Sequence, residues 1–171
     1  GIKLLDGSYQ DQSLQEGSGN EANDRIAITI ASAKASSLGV GGGSTMLAQE
    51  LQYRLFRLGY AATAYSDPML MRMASASMDS NDVLICLSIG GYSPDVLSAA
   101  KIAKRLQVKS IGITQADTPL ATELDVLLPI QNHESDFIFK PTASRYVMMA
   151  ALDVLVTELA IKHKRKSREK L

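Results

Sequence analysis

The 171 residues contain one cysteine. One thiol can build neither an internal disulfide framework nor a cysteine-based zinc site. That thiol, Cys86, lies inside an apolar run, where cysteine behaves as a small buried hydrophobe. Neither sign of charge is in excess. The 18 Lys and Arg balance 18 Asp and Glu, so a globally basic nucleic-acid binder is not suggested. No apolar run is long enough to span a membrane, and no signal-peptide pattern opens the chain. The expected setting is a reducing cytoplasm, with no membrane partner. The first residue is Gly1 rather than Met, as expected of a processed or cut chain. No internal repeat or second domain is visible, and the length suits one domain with a substantial core.

What is present is an alternation of strand-like and helix-like stretches. Residues 1–20 are rich in Gly, Ser, Gln and Asp and read as a flexible arm or linker remnant. From Glu21 to Lys34 the pattern reads as a helix, with Ile26 and Ile30 four apart. Ser37 to Val40 reads as the first strand. A helix follows from about Thr45 to Leu58, with Leu47, Leu51, Leu55 and Leu58 on one face and Gly59 as its stop. Tyr60 to Tyr65 is the second strand. Asp67-Pro68 opens a methionine-rich helix to Met78, whose Met69, Met71, Met73 and Met78 suit a core or a subunit interface. Val83 to Leu87 is apolar on both faces, as a central parallel strand should be. A helix begins at Ser93-Pro94-Asp95 and runs to Leu106. Strands at Lys109 to Thr114 and Val126 to Ile130 flank a short helix that starts at Thr118-Pro119. A long last helix spans about Thr142 to His163, with Met148, Leu152, Leu155 and Leu159 on one face. Residues 164–171 form a basic tail, read as a solvated helix end. Five such alternations predict a three-layer α/β/α sandwich with a five-stranded parallel sheet, for which the flavodoxin-like order 2-1-3-4-5 is expected.

Two Gly/Ser loops carry the chemistry. The first is Gly41-Gly42-Gly43-Ser44-Thr45, with Ser44 as the natural cap of the next helix. The second is Ser88-Ile89-Gly90-Gly91-Tyr92-Ser93. Glycine admits positive φ and close approach of a ligand, and a helix start adds unpaired N–H groups and a positive dipole end. Together these make an anion site. In a 2-1-3-4-5 sheet both loops face the same switch point between strands one and three.

Better-known readings of the first loop fit less well. A Walker loop needs a lysine that is absent here. A dinucleotide fingerprint is only approached by Gly39, Gly41 and Ser44, with Asp67 as the ribose-binding acid. The plain reading is a tight turn after a strand. His133 and Glu134 are candidate acid–base residues on the polar connection 131–140, where solvent-exposed polar residues are equally consistent. Lys140 and Arg145 are candidate anion partners at the last helix start.

At these loops the sequence resembles the SIS (sugar isomerase) domain family, and within it the C-terminal effector domain of RpiR-type transcription regulators. The resemblance rests on VGGGSTMLAQELQYRLFRLG (40–59), AYSDP (64–68), NDVLICLSIGGYSPD (81–95), GITQADTPLATELDVLLPI (112–130) and PTASRYVMMAALDVL (141–155), with a SIS domain over 21–163. It implies a sugar phosphate bound by Gly43, Ser44, Thr45, Ser88, Ile89, Gly90, Gly91, Ser93 and Glu134. Ser88 and Ser93 match the outer hydroxyl positions of the family's S-x-S-G-x-[ST] loop. Gly90 stands where the family has its middle serine, which removes one hydroxyl, and Gly91 is retained. The resemblance further implies a homodimer or tetramer, no cofactor and no metal. DNA would be reached only through a helix-turn-helix domain that these residues do not contain. The expected role is a non-catalytic sensor, with no catalytic residue. The alternative is a sugar-phosphate aldose–ketose isomerase with Glu134 as base and His133 behind it. A nucleotide-binding domain using Gly39, Gly41 and Asp67 is a third reading.

Overall fold

The computed structural model describes residues 27–32, 43–131 and 143–169. Five parallel strands form one sheet in the order β2-β1-β3-β4-β5. The strands are β1 (Ala27–Ser32), β2 (Ala61–Tyr65), β3 (Val83–Leu87), β4 (Lys109–Gln115) and β5 (Val126–Ile130). The helices are α1 (Gly43–Arg57), α2 (Pro68–Ala76), α3 (Pro94–Arg105), α4 (Pro119–Glu123) and α5 (Ala143–Glu169).

Burial follows this order. Every residue of β3 is buried, whereas the edge strands β2 and β5 are only partly covered. Pro129 sits on the edge strand β5, where a missing N–H leaves no gap in an inner ladder. On the other edge, Gln52 Oε1 of α1 accepts from the Ala64 N–H of β2 at 2.6 Å.

Two apolar layers hold the sheet. One packs Leu47, Leu51 and Leu55 of α1 and Met148, Leu152, Leu155 and Leu159 of α5 against Ile28, Ile30, Ile85 and Ile113. The other packs Met71 of α2, Val96, Ala99, Ala100 and Ala103 of α3 and Leu120 of α4 against Ala31, Leu84 and Cys86. Each fully buried Leu, Ile or Met contributes about 1.5–3 kcal/mol. The alanines let α3 approach the sheet closely. Burial pushes the Cys86 thiol up to about 12, so it stays protonated and inert at neutral pH. On the surface, Arg54 of α1 donates to Glu50 at 2.7 Å and to Asp153 of α5. Its charge is favoured further by those two carboxylates.

Several element boundaries differ from the sequence reading. The first strand is Ala27–Ser32, inside the stretch read as a helix from Glu21 to Lys34. Alanines at 27 and 31 and the Ile26/Ile30 spacing imitate a helix face. Ile28, Thr29 and Ile30 are instead β-branched residues buried on both faces of an inner strand. The proposed strand Ser37–Val40 lies outside the described residues, as do the arm 1–20 and residues 132–142. The α1 helix begins at Gly43, so Ser44 lies in its first turn rather than capping it. A residue in the first turn still sits among the N–H groups that have no partner within the helix. The last helix continues past His163 to Glu169, because Lys and Arg are good helix formers and suit a C-terminal dipole end. The methionines divide: Met71 and Met78 are buried, while Met69 and Met73 are 68% and 59% exposed.

A Cβ added at Gly112 of β4 would lie 2.0 Å from Leu124 Cδ1, just after α4. Gly112→Ala is therefore expected to lower stability by about 1–3 kcal/mol in urea unfolding. Combining it with Leu124→Ala frees the space, so the double variant should cost less than the two single changes added together. Simple additivity would show that the two residues do not compete for that space.

Candidate functional site

Strands β1 and β3 are neighbours, and their following helices leave on opposite faces. The α1 helix packs in one apolar layer and α3 in the other. The carboxyl ends of β1 and β3 therefore open into the crevice where a doubly wound sheet binds its ligands. The N-terminus of α1 and the Ser88–Ser93 loop flank it. Glycine and serine are common where a strand must turn abruptly into a helix, and the Ser88–Ser93 loop between β3 and α3 follows that logic.

The second loop is held from one side. It first prolongs the β3–β4 ladder: Ser88 N donates to Ile113 O at 3.3 Å, and Gln115 N donates to Ile89 O at 3.3 Å. Gly91 then takes φ +71°, a conformation that costs any side chain. Its N–H donates to Ser88 Oγ at 3.3 Å, and its carbonyl accepts from Leu120 N at 3.2 Å. There is no room for a Cβ. One placed there would meet Thr118 Oγ1 at 2.3 Å and Thr114 Oγ1 at 2.8 Å. Gly90 is the opposite case, with nothing within 4 Å of an added Cβ and no positive φ.

Ser88 is the first residue beyond β3, only 3% exposed, and its oxygen already closes the loop. Ile89, Gly90 and Ser93 are half-buried and Gly91 is buried. Ser93 precedes α3 with φ −63° and ψ 116°, yet its side chain does not cap the helix. Its hydroxyl is thus not committed to the first turn. Pro94 supplies no N–H, and Asp95 places a carboxylate in that turn. The helix end is therefore partly answered by its own chain. Gly43, Ser44 and Thr45 form the first turn of α1, with Ser44 buried. Glu134, His133 and Lys140 lie outside the described residues, as do Gly39 and Gly41. Arg145 is in the first turn of α5, its Nε buried with no partner among the described residues. Asp67 Oδ1 accepts from Met69 N and Leu70 N, both at 3.0 Å. The acid of the nucleotide reading is thus engaged as the cap of α2.

The sequence reading missed Thr114 and Thr118. Thr118 Oγ1 donates to Gln115 O at 2.9 Å and accepts from Ala121 N at 3.3 Å. Thr114 is wholly buried, and its Oγ1 has no partner among the described residues. Thr118-Pro119 is visible in sequence as a helix start. Its place beneath Gly91 is a tertiary fact that no local pattern carries. Among the described residues, no cluster of three or more His, Cys, Asp or Glu could hold a metal ion, and no helix is long and apolar enough to cross a membrane.

These features define a doubly wound α/β domain with a glycine- and serine-rich crevice at its switch point. The chain belongs to the SIS domain family, whose model matches residues 23–158. It is 29% identical over 121 residues to the HTH-type transcriptional regulator HexR of Pseudomonas aeruginosa, covering 71% of this chain and 42% of that protein. It is 30% identical over 121 residues to the bifunctional protein glk of Burkholderia thailandensis, covering 71% of this chain and 19% of that protein. The chain thus spans less than half the length of these relatives. Among solved structures, the fold matches the sugar isomerase domain of an RpiR transcription factor from Sphaerobacter thermophilus, with TM-score 0.69 and 18% identity over 86% of this chain and 80% of that one. It matches the Vibrio vulnificus NanR protein complexed with ManNAc-6P, with TM-score 0.69 and 24% identity over 86% and 54%. It also matches a Methanococcus jannaschii protein whose structure was taken to infer 3-hexulose-6-phosphate isomerase function, with TM-score 0.59 and 23% identity over 81% and 71%.

The two loop glycines should respond oppositely to a methyl group. Gly91→Ala is expected to lower stability by about 2 kcal/mol or more, from positive φ and the clash with Thr118. Gly90→Ala should leave it unchanged or raise it by up to about 1 kcal/mol. Thermal unfolding of the two variants checks this, and equal effects would contradict the loop geometry.

Proposed function

We propose that residues 21–163 are the sugar-phosphate-sensing domain of an RpiR-type transcription regulator. The observation that carries the reading is the Ser88–Ser93 loop, which leaves the end of β3 at the switch point beside β1. Hydroxyls, close-approach glycines and helix starts converge there as a phosphate and a polyhydroxylated body require. HexR is a regulator, and the NanR structure holds a sugar phosphate. Both support this assignment.

The ligand works by binding one conformational or assembly state better than another. A helix-turn-helix segment elsewhere in the protein reads the shift as altered operator affinity. Under this reading the protein is cytoplasmic and acts as a homodimer or tetramer. Exposed Met46, Tyr53 and Phe56 on α1 and Tyr146 and Val154 on α5 are consistent with self-association. The second reading is an aldose–ketose isomerase, favoured by the M. jannaschii likeness. It needs a base to move a proton between adjacent carbons. Deuterium incorporation into sugar phosphates separates an isomerase from a sensor.

A thermal-shift panel of sugar phosphates, amino-sugar phosphates and phosphorylated sugar acids tests the proposal. A ligand at a hundred times its Kd should stabilise the domain by about 2.7 kcal/mol. Panel-wide failure to stabilise would reject the reading. Gly90→Ser adds a hydroxyl into open space without backbone strain. Hydrogen bonds to charged groups are worth about 1.5–3 kcal/mol, so calorimetry should show roughly tenfold tighter binding. Weaker binding would mean that Gly90 is shaped to its ligand. Light scattering at micromolar concentration should give a mass above that of a monomer.

A further inference from the structure

We propose that Thr118 is a positioning residue for the ligand loop, and that it acts by turning the backbone N–H groups of Gly90 and Tyr92 into the crevice. The inference rests on the sugar-phosphate reading and assigns its anion donors. In a trans peptide the carbonyl and the following N–H point in opposite directions. The Ile89 carbonyl is tied to Gln115 N of β4, so the Gly90 N–H faces away from β4, toward β1 and the switch point. The Gly91 carbonyl is tied to Leu120 N of α4, so the Tyr92 N–H faces away from α4. Neither N–H has a hydrogen-bond partner among the described residues. Successive N–H groups around a residue of positive φ form an anion-binding concavity.

Both ties come from the same short segment, and Thr118 fixes that segment. Its hydroxyl donates to Gln115 O and accepts from Ala121 N. It therefore joins the end of β4, which holds Ile89, to the start of α4, which holds Gly91. Its Oγ1 also fills the space where a Cβ on residue 91 would lie, which keeps Gly91 seated. The helix end of α3 is weakened as an anion site by Pro94 and Asp95, and Gly90 brings no hydroxyl. Beside the Ser93 hydroxyl, which does not cap α3, the loop's own N–H groups are donors that face the crevice.

The test is a titration of the 171-residue protein with inorganic phosphate, followed by amide chemical shifts of Gly90 and Tyr92. The variants are Thr118→Val, Thr118→Ala and Thr118→Ser, each measured below its own melting temperature. In the unaltered protein both amides should shift together with one Kd. Thr118→Val should weaken that Kd at least fivefold, and Thr118→Ser should stay within twofold because the hydroxyl is retained. Thr118→Ala gives the same reading if the valine variant does not fold. A purely structural role would lower the melting temperature and leave the Kd of folded protein unchanged, which would overturn the proposal. If the unaltered protein binds phosphate through other amides, the donor assignment is wrong while an anion site survives. If it binds neither phosphate nor any sugar phosphate, both the assignment and the sensing role fall.

Discussion

Gly91 turns the chain in a left-handed conformation that glycine adopts without cost, with Thr118 packed where a side chain would begin. Its φ of +71° and the 2.3 Å approach of Thr118 Oγ1 to a would-be Cβ force the chain to turn where β3 ends. That turn places Ser88, Gly90 and Ser93 around one opening and starts α3 in the right direction. Hydrogen bonds from Gln115 and Leu120 then fix the peptide planes. The loop is therefore held as a continuation of β4 and α4.

The rest of the molecule supports that turn. The β3 strand is buried along its whole length, and the alanines of α3 let the helix lie close to the sheet. Asp125 does similar work at the far end of β4. Its Oδ2 accepts from Ser110 N at 2.8 Å and from Ser110 Oγ at 3.1 Å. These bonds tie the start of β4 to the start of β5. Cys86 contributes packing alone, since burial keeps it a neutral thiol.

Much of this was legible in the sequence where local and tertiary preferences agree. Val83–Leu87 and Val126–Ile130 read as strands because unbroken or β-branched apolar runs suit a sheet. Ser93-Pro94-Asp95 and Thr118-Pro119 read as helix starts because each residue has a local reason to be there. Alternation pointed to a parallel three-layer sheet, and the expected order 2-1-3-4-5, which the sheet has, set the switch point. The Ala27–Ser32 strand was read as helix because alanine spacing is ambiguous when both faces are buried. The partners of Gly91 were invisible because Thr114 and Thr118 reach it only through folding. Ser88 is visible in the sequence as a hydroxyl opening a glycine loop, but its service to the Gly91 N–H is not.

The central claim is that an anionic group of the ligand is held by the loop at the start of α3. A crystal structure of the protein with the sugar phosphate that stabilises it most tests this directly. The account places phosphate oxygens about 2.7–3.2 Å from the backbone nitrogens of Gly90 and Tyr92, with the sugar extending toward Ser44. A phosphate bound away from the Ser88–Ser93 loop would contradict it.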